Sequence, residues 1–549
     1  MHGLMMDTPL LVTEIMRYAD KNHAKGEVVS VTGDTPRHRC TYADVFRRAR
    51  KLANALAAAG VREGDRVGTL AWNDHRHLEL YFAVSCMGAV LHTVNPRLFP
   101  EQVEFIINHA EDRLLFIDPT LLPLLAQLAG KLPTVRQAIV LTSDDAMPVT
   151  VAGKLESYEA FIADQAEEYD WPVLDERAAC SLCYTSGTTG NPKGVLFSHR
   201  STLLHAYAGC LPDVLGLSSR ETVLAVVPMF HANAWGLPYN GPMVGAKLVF
   251  PGPKMGDPAT LVALIEEEGV THAAGVPTVW TGLLNYLDQT GKRLPTLKRT
   301  LVGGSAVPLK MIRDFDQKHG IVVQQGWGMT EMSPIGTVNA YLSDGEEPKE
   351  DTWRKRALQG RAVFGVDMKI VDEQGRELPW DGVATGELKV RGPWVCSGYF
   401  RLEHSSQHDT EGWFATGDVA AIDAEGYLHI TDRAKDVIKS GGEWISSVDM
   451  ENCACGHPDV LMAAAIGVRH PKWEERPLLI IVPRQGRLPA RDSVLAHLAG
   501  HFAKWQLPDD VVLAESIPLT ATGKINKREL RERFSNHYAG PAASVNGQM

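Results

Sequence analysis

Tyr184-Thr-Ser-Gly-Thr-Thr-Gly-Asn-Pro-Lys-Gly194 sets four hydroxyls and two glycines ahead of a single lysine. Glycines let backbone N–H groups come close to phosphate oxygens, the hydroxyls add movable donors, and Lys193 supplies a point charge. The preceding Ser181-Leu-Cys-Tyr184 reads as the strand that delivers this loop. The P-loop of nucleotide hydrolases requires G-x-x-x-x-G-K-[ST]. Here Pro192 precedes the lysine and Gly194 follows it, so that motif is excluded. A plain surface turn is the remaining alternative, although such turns rarely carry four hydroxyls and a lysine together.

Outward from the loop, strand and helix alternate. Leu52-Ala-Asn-Ala-Leu-Ala-Ala-Ala59 is rich in helix formers and stops at Gly60, and Arg66-Val-Gly-Thr-Leu-Ala-Trp72 then reads as a strand. Further strands are expected at Leu114–Asp118, Ala138–Leu141, Thr222–Val227 and Leu248–Phe250. The pattern implies an α/β fold with largely parallel sheets. Beyond about residue 360 the texture changes to short strands at Asp367–Asp372, Gly386–Arg391 and Tyr427–Thr431, a β-rich subdomain.

The chain has 549 residues, too many for one ordinary core. A hydrophobic fraction of 44% and a charged fraction of 22% suit a globular enzyme, and a net charge of −11 argues against nucleic acid as the main partner. No apolar run reaches the roughly 20 residues that span a bilayer, and the first residues lack the pattern of a signal peptide, so a cytoplasmic location is expected. Eight cysteines fit that compartment as reduced thiols. Cys180 with Cys183, and Cys453 with Cys455 and His457, lack a well-spaced second pair, which favours incidental cysteine over zinc.

The hydroxyl-rich loop resembles the signature of the adenylate-forming superfamily, which includes acyl-CoA synthetases, luciferases and peptide-synthetase adenylation domains. The resemblance continues in order through Pro228–His231, Gly303–Ala306, Gly326-Trp-Gly-Met-Thr-Glu331, Trp413–Asp418, Asp432–Gly442 and Pro518–Lys524. It implies a large N-terminal AMP-binding and acyl-binding domain over residues 1–433, a hinge at 434–436 and a small mobile α+β lid over 437–540. Residues 541–549 read as a disordered tail. Many relatives are homodimers, but no interface pattern is visible here.

The same resemblance assigns roles. Thr185, Ser186, Gly187, Thr188, Thr189, Gly190 and Lys193 would cradle the β- and γ-phosphates of ATP. Gly303, Gly304, Ser305 and Ala306 would lie against adenine, with Gly326, Trp327, Gly328 and Met329 completing the nucleotide site. Thr330 would bond the α-phosphate and Glu331 would anchor Mg²⁺, which favours one or two carboxylates plus phosphate oxygens. Asp418 and Arg433 would hold the ribose, and Lys524 would bridge the attacking carboxylate and the α-phosphate. Turning the lid at Lys435 would then withdraw Lys524 and bring Lys439, Gly441, Gly442 and Glu443 to a coenzyme A tunnel, with Trp444 and Trp473 stacking on the cofactor. Lys435→Pro is expected to impair thioester formation more than adenylation, because proline fixes φ.

For the acid, the resemblance places Trp235, Val276, Pro277, Gly303, Trp327, Gly328 and Met332 around the pocket, with His231 at its entrance either positioning the carboxylate or serving structure. Acetate-specific relatives carry tryptophan where this chain has Gly328, so glycine is expected to open that wall and Gly328→Trp to shift preference toward acetate. Segments around Trp235 resemble medium-chain fatty acid ligases and methylmercaptopropionate ligases. The expected activity is ATP-dependent acid–CoA ligation on acids of roughly four to ten carbons, each buried CH₂ contributing about 0.8 kcal/mol. A luciferase-like monooxygenase would leave the coenzyme A segments unexplained. A silent nucleotide sensor should have lost Thr330, Glu331, Asp418 or Lys524, and all four are present.

Overall fold

The computed structural model describes the chain apart from residues 151–152, 154, 186–190, 341–349, 441–442, 521–523 and 539–549, and the side chains of residues 350, 443 and 444. The residues expected to form a disordered tail therefore lie outside the described part.

Two mainly parallel sheets dominate. In the first, six parallel strands run in the order Glu156–Ser157, Gln137–Val140, Asp112–Ile117, Arg66–Leu70, Val90–Thr93 and Ala179–Tyr184, and Gly194–Ser198 closes one edge antiparallel. The second sheet runs parallel through Val322–Gly328, Arg299–Val302, His272–Gly275, Thr222–Ala225, Lys247–Phe250 and Glu27–Ser30. Every described side chain of the helix His75–Cys86 is buried. Its charged members are compensated, since Glu79 pairs with Arg48 at 2.8 Å and Arg76 with Asp34 at 2.9 Å. Buried charge without such partners would be strongly destabilising.

The helix read at Leu52–Ala59 spans Tyr42–Ala58. Thr41 and Asp44 form a capping box at its start, and Gly60 follows its end at φ 84°. The subdomain read after residue 360 is an antiparallel sheet of Asp367–Val371, Gly386–Arg391, Phe414–Ile422 and Leu428–Arg433. Beyond it, Ile438–Ser440, Val460–His470, Glu474–Pro483 and Asp510–Leu513 form a separate sheet with its own core around Ile438, Met450, Leu479 and Leu498. The α/β class expected from the sequence is the class observed. Among the described residues no helix is long and apolar enough to cross a membrane.

Candidate active site

In open α/β sheets the crevice beyond the carboxyl ends of parallel strands is the usual ligand site. The motif segments emerge there: Thr185 follows Tyr184, His231 follows the strand ending at Ala225, Val276 follows Gly275, Gly303 follows Val302 and Thr330 follows Gly328.

The strands on either side of the hydroxyl-rich segment are antiparallel neighbours. Tyr184 lies opposite Gly194, and the Thr185 N–H donates to the Lys193 carbonyl at 2.9 Å. Ser186, Gly187, Thr188, Thr189 and Gly190 lie outside the described residues. Lys193 Nζ donates to Gln407 Oε1 at 3.0 Å and stands 4.7 Å above the Tyr399 ring. The Tyr399 hydroxyl donates to Glu331 Oε1 at 2.8 Å. The lysine expected to meet phosphate and the carboxylate expected to hold the metal are thus joined through two residues of the β-rich subdomain.

Thr330 and Glu331 occupy a single 3₁₀ turn, Thr330–Met332, and both are buried. Glu331 is fixed at both ends, since its carbonyl also accepts the Cys396 N–H at 2.7 Å. Just upstream, Gly328 is packed against backbone. A Cβ there would lie 1.9 Å from the Pro334 carbonyl oxygen and 3.1 Å from the Gly336 nitrogen. That carbonyl accepts the Met329 N–H at 3.0 Å, closing the turn that carries Thr330 and Glu331. Glycine is needed for a close approach of backbone, and a larger side chain would displace the turn before it could fill a pocket.

Asp418 and Arg433 face each other on neighbouring antiparallel strands, and Arg433 Nε lies 2.7 Å from Asp418 Oδ1. Trp327 Nε1 donates to the other oxygen of the same carboxylate at 2.9 Å. Lys524, in the C-terminal sheet-bearing part of the chain, lies close enough to this group to feel its charges. Burial, then the nearby Arg433 guanidinium, push its amine down to about 8, while Asp418 and Glu331 act in the opposite sense. His231 is pushed down to about 4 by burial, with Lys524 and Arg97 adding to the effect, so its ring is neutral near pH 7. Lys524 therefore stands near Arg433, Asp418, Glu331 and His231.

The segment expected to wall the acyl pocket has an unusual backbone. Ala232, Asn233, Ala234 and Trp235 have φ of 43°, 52°, 48° and 57°, a left-handed turn completed by Gly236. Asn233 braces it: Nδ2 donates to Ser181 Oγ at 3.1 Å, and Oδ1 accepts from the Tyr81 hydroxyl at 3.1 Å. The turn presents Trp235 to Gly303, where an added Cβ would lie 3.3 Å from the indole and 2.8 Å from the Gly326 carbonyl oxygen. Val276 lies against Gly304, and Trp327 with Met332 against Gly336. Pro277 opens the helix Pro277–Thr290 beside them.

Residues 17–400 match the AMP-binding enzyme family and residues 449–524 the AMP-binding enzyme C-terminal domain. The chain belongs to the AMP-binding enzyme family. It is 49% identical to a 3-methylmercaptopropionyl-CoA ligase of Ruegeria lacuscaerulensis over 98% of this chain and all of that protein. It is 47% identical to a medium-chain-fatty-acid–CoA ligase of Ectopseudomonas oleovorans over 99% of this chain and all of that protein. The crystal structure of the anthranilate CoA ligase AuaEII with anthranoyl-AMP superposes with a TM-score of 0.86 at 26% identity, covering 96% of this chain and 98% of that one. The adenylate-forming superfamily and the acid–thiol ligase class expected from the sequence both stand on these likenesses.

Not every residue expected in the AMP-binding enzyme's site is gathered in it. Lys439 is exposed, its N–H donating to Glu475 Oε2 at 3.0 Å, and Trp473 is exposed with Lys472 Nζ 4.5 Å above its ring. Gly441 and Gly442, and the side chains of Glu443 and Trp444, lie outside the described part. Ser305 is exposed and Ala306 half-buried on the segment after Gly304. Sequence reasoning missed Tyr399, Gln407, Asn233 and Arg97. Arg97 lies 5.8 Å from the Trp72 ring and 5.6 Å from the Phe230 ring. A lone tyrosine, glutamine or asparagine carries no signal of its own.

Proposed function

We propose that this enzyme joins medium-chain carboxylic acids, of roughly four to ten carbons, to coenzyme A in two steps with ATP and Mg²⁺. The observation that carries the reading is the position of Lys524 among Arg433, Asp418, Glu331 and neutral His231. There an ammonium can neutralise both the incoming carboxylate and the α-phosphate, a contribution of roughly 3 kcal/mol for one well-placed donor. A carboxylate oxygen attacks the α-phosphorus and pyrophosphate leaves. The thiolate of coenzyme A then attacks the acyl carbon and AMP leaves.

Asp418 is the ribose acceptor, held by Trp327 and Arg433 on separate oxygens. Glu331 fits Mg²⁺: it is a buried carboxylate whose Oε1 is taken by Tyr399 and whose Oε2 has no hydrogen bond among the described residues. Magnesium favours such a single carboxylate combined with phosphate oxygens. When bound, the ion would neutralise phosphate charge, while Lys193 and Lys524 act from either side.

A second reading, 3-methylmercaptopropionate as the natural acid, is favoured by the 49% identity to ligases of that name. Its CH₃–S–CH₂–CH₂ chain has the shape of pentanoate, and a thioether adapts readily to an aromatic wall such as Trp235 and Trp327. The test is acid-dependent AMP release with coenzyme A across acetate, butyrate, pentanoate, hexanoate, octanoate, 3-methylmercaptopropionate and benzoate, with Lys524→Ala as control. A maximum at hexanoate or octanoate supports the first reading. A maximum at 3-methylmercaptopropionate well above pentanoate supports the second, and no turnover with any acid refutes both.

A further inference from the structure

The strand Leu428–Arg433 brings Arg433 to the nucleotide site, and alternation along a strand turns its neighbour Asp432 to the opposite face. Asp432 is fully buried. Its Oδ2 accepts both the backbone N–H of Ser447, at 2.7 Å, and the Ser447 hydroxyl, at 2.6 Å. Ser447 is the first residue of the lid helix Ser447–Cys455. Its hydroxyl in turn accepts from Lys527 Nζ at 2.5 Å, and Lys527 pairs with Glu451 at 2.9 Å. Lys527 stands three residues beyond Lys524. One end of this relay is therefore a strand that also holds the ribose-site arginine, and the other is the segment that delivers the catalytic lysine.

Two more contacts span the same joint. The Ser446 hydroxyl donates to the Thr431 carbonyl, and His429 Nε2 lies 3.5 Å from Asp449 Oδ1. Each joins a residue before Lys435 to one after it. A turn of the lid about Lys435 would carry Ser446, Ser447 and Asp449 away from Thr431, Asp432 and His429 and break all of them together.

We propose that Asp432 is a positioning residue: with Ser447 and Lys527 it forms a latch that holds Lys524 in the adenylating pose and must open before thioester formation. The inference rests on the two-step ligase reading above. The latch joins polar groups that water can take over once it opens, so the lid can leave, whereas an apolar seam of the same size would resist separation. Because Asp432 faces away from the nucleotide, its effect reaches the chemistry through Lys524.

The experiment measures the two half-reactions separately in wild type, Asp432→Asn and Ser447→Ala. Acid-dependent exchange of labelled pyrophosphate into ATP reports adenylation, and coenzyme A consumption from prepared hexanoyl-adenylate reports the second step. Both variants are expected to lose about tenfold or more in exchange while keeping or gaining rate in the second step. Hydrogen exchange over residues 445–450 is expected to quicken. Equal loss in both half-reactions, unchanged exchange of pyrophosphate, or unchanged amide protection would overturn the latch. Should Asp432→Asn fail to fold, Ser447→Ala carries the test, since its backbone N–H still bonds Asp432. Wild type without acid-dependent exchange would refute the ligase reading instead, and the amide protection would still report on the latch.

Discussion

Gly328→Ala should lower adenylation with every acid and leave the order of preference among acids unchanged. The added methyl would sit 1.9 Å from the Pro334 carbonyl oxygen and 2.8 Å from its carbon. Non-bonded carbon atoms rest about 3.5 Å or more apart. Even with the smaller radius of oxygen, the Pro334 peptide has to withdraw by more than about 1 Å. That peptide accepts the Met329 N–H, so the displacement passes directly into the turn holding Thr330 and Glu331. A misplacement of about 1 Å at a reacting centre lowers the rate by on the order of a hundredfold. The assay is AMP release from acetate to decanoate, paired with a thermal melt to separate misplacement from unfolding. Activity within about threefold of wild type, or a profile moved toward acetate, would show that the Gly328 position opens on the pocket after all.

Three other outcomes follow from the site. Lys524 is cationic below about 8 and neutral above, so kcat/KM for adenylation should fall as pH rises through that value in the free enzyme, and Lys524→Arg should abolish that limb; a profile flat to pH 9.5 would contradict it. Trp327→Phe removes the Nε1–H bond to Asp418, and the KM for ATP should rise roughly tenfold, with transfer from preformed adenylate little changed; an unaltered KM would remove Trp327 from the ribose site. Asn233→Ala strips the brace from the left-handed turn and should destabilise the protein by about 1–3 kcal/mol while loosening chain-length selectivity. Denaturation midpoints and the acid panel together would expose a failure of either part.

The elements most legible in the sequence were those whose local pattern and tertiary role agree. The strand at Gly386–Arg391 has the bounds read from its alternation, and the helix ending before Gly60 stops where its glycine permits a positive φ. Asp418, Arg433, Glu331 and Lys524 were legible because each sits in a long ordered motif, and the fold brings them together. Tyr399 and Gln407 were not, because their role arises from a meeting with Lys193 and Glu331 across 68 or more residues of chain. The close approach of the Pro334 peptide to Gly328 was not legible, because a glycine that admits a ligand and one that admits a peptide look alike until the facing atom is known. Lys439 and Trp473 are exposed and are not gathered with Lys524, which no local pattern could have shown.

The left-handed turn at Ala232–Trp235 also bears on how this enzyme could change. Each L-residue held in that conformation costs roughly 1–2 kcal/mol, least for asparagine, so the segment carries several kcal/mol that the surrounding structure must offset. Mutational drift would therefore favour glycine at positions 232 and 234 for backbone reasons alone, whatever the acid. Bulky or β-branched replacements there would be counter-selected even where they improved the fit to a new substrate. If this segment walls the acyl pocket, diversification should run through the Trp235 side chain, since a Cβ at the facing Gly303 would lie 2.8 Å from the Gly326 carbonyl oxygen, leaving the shape of the turn itself as the slowest-evolving part.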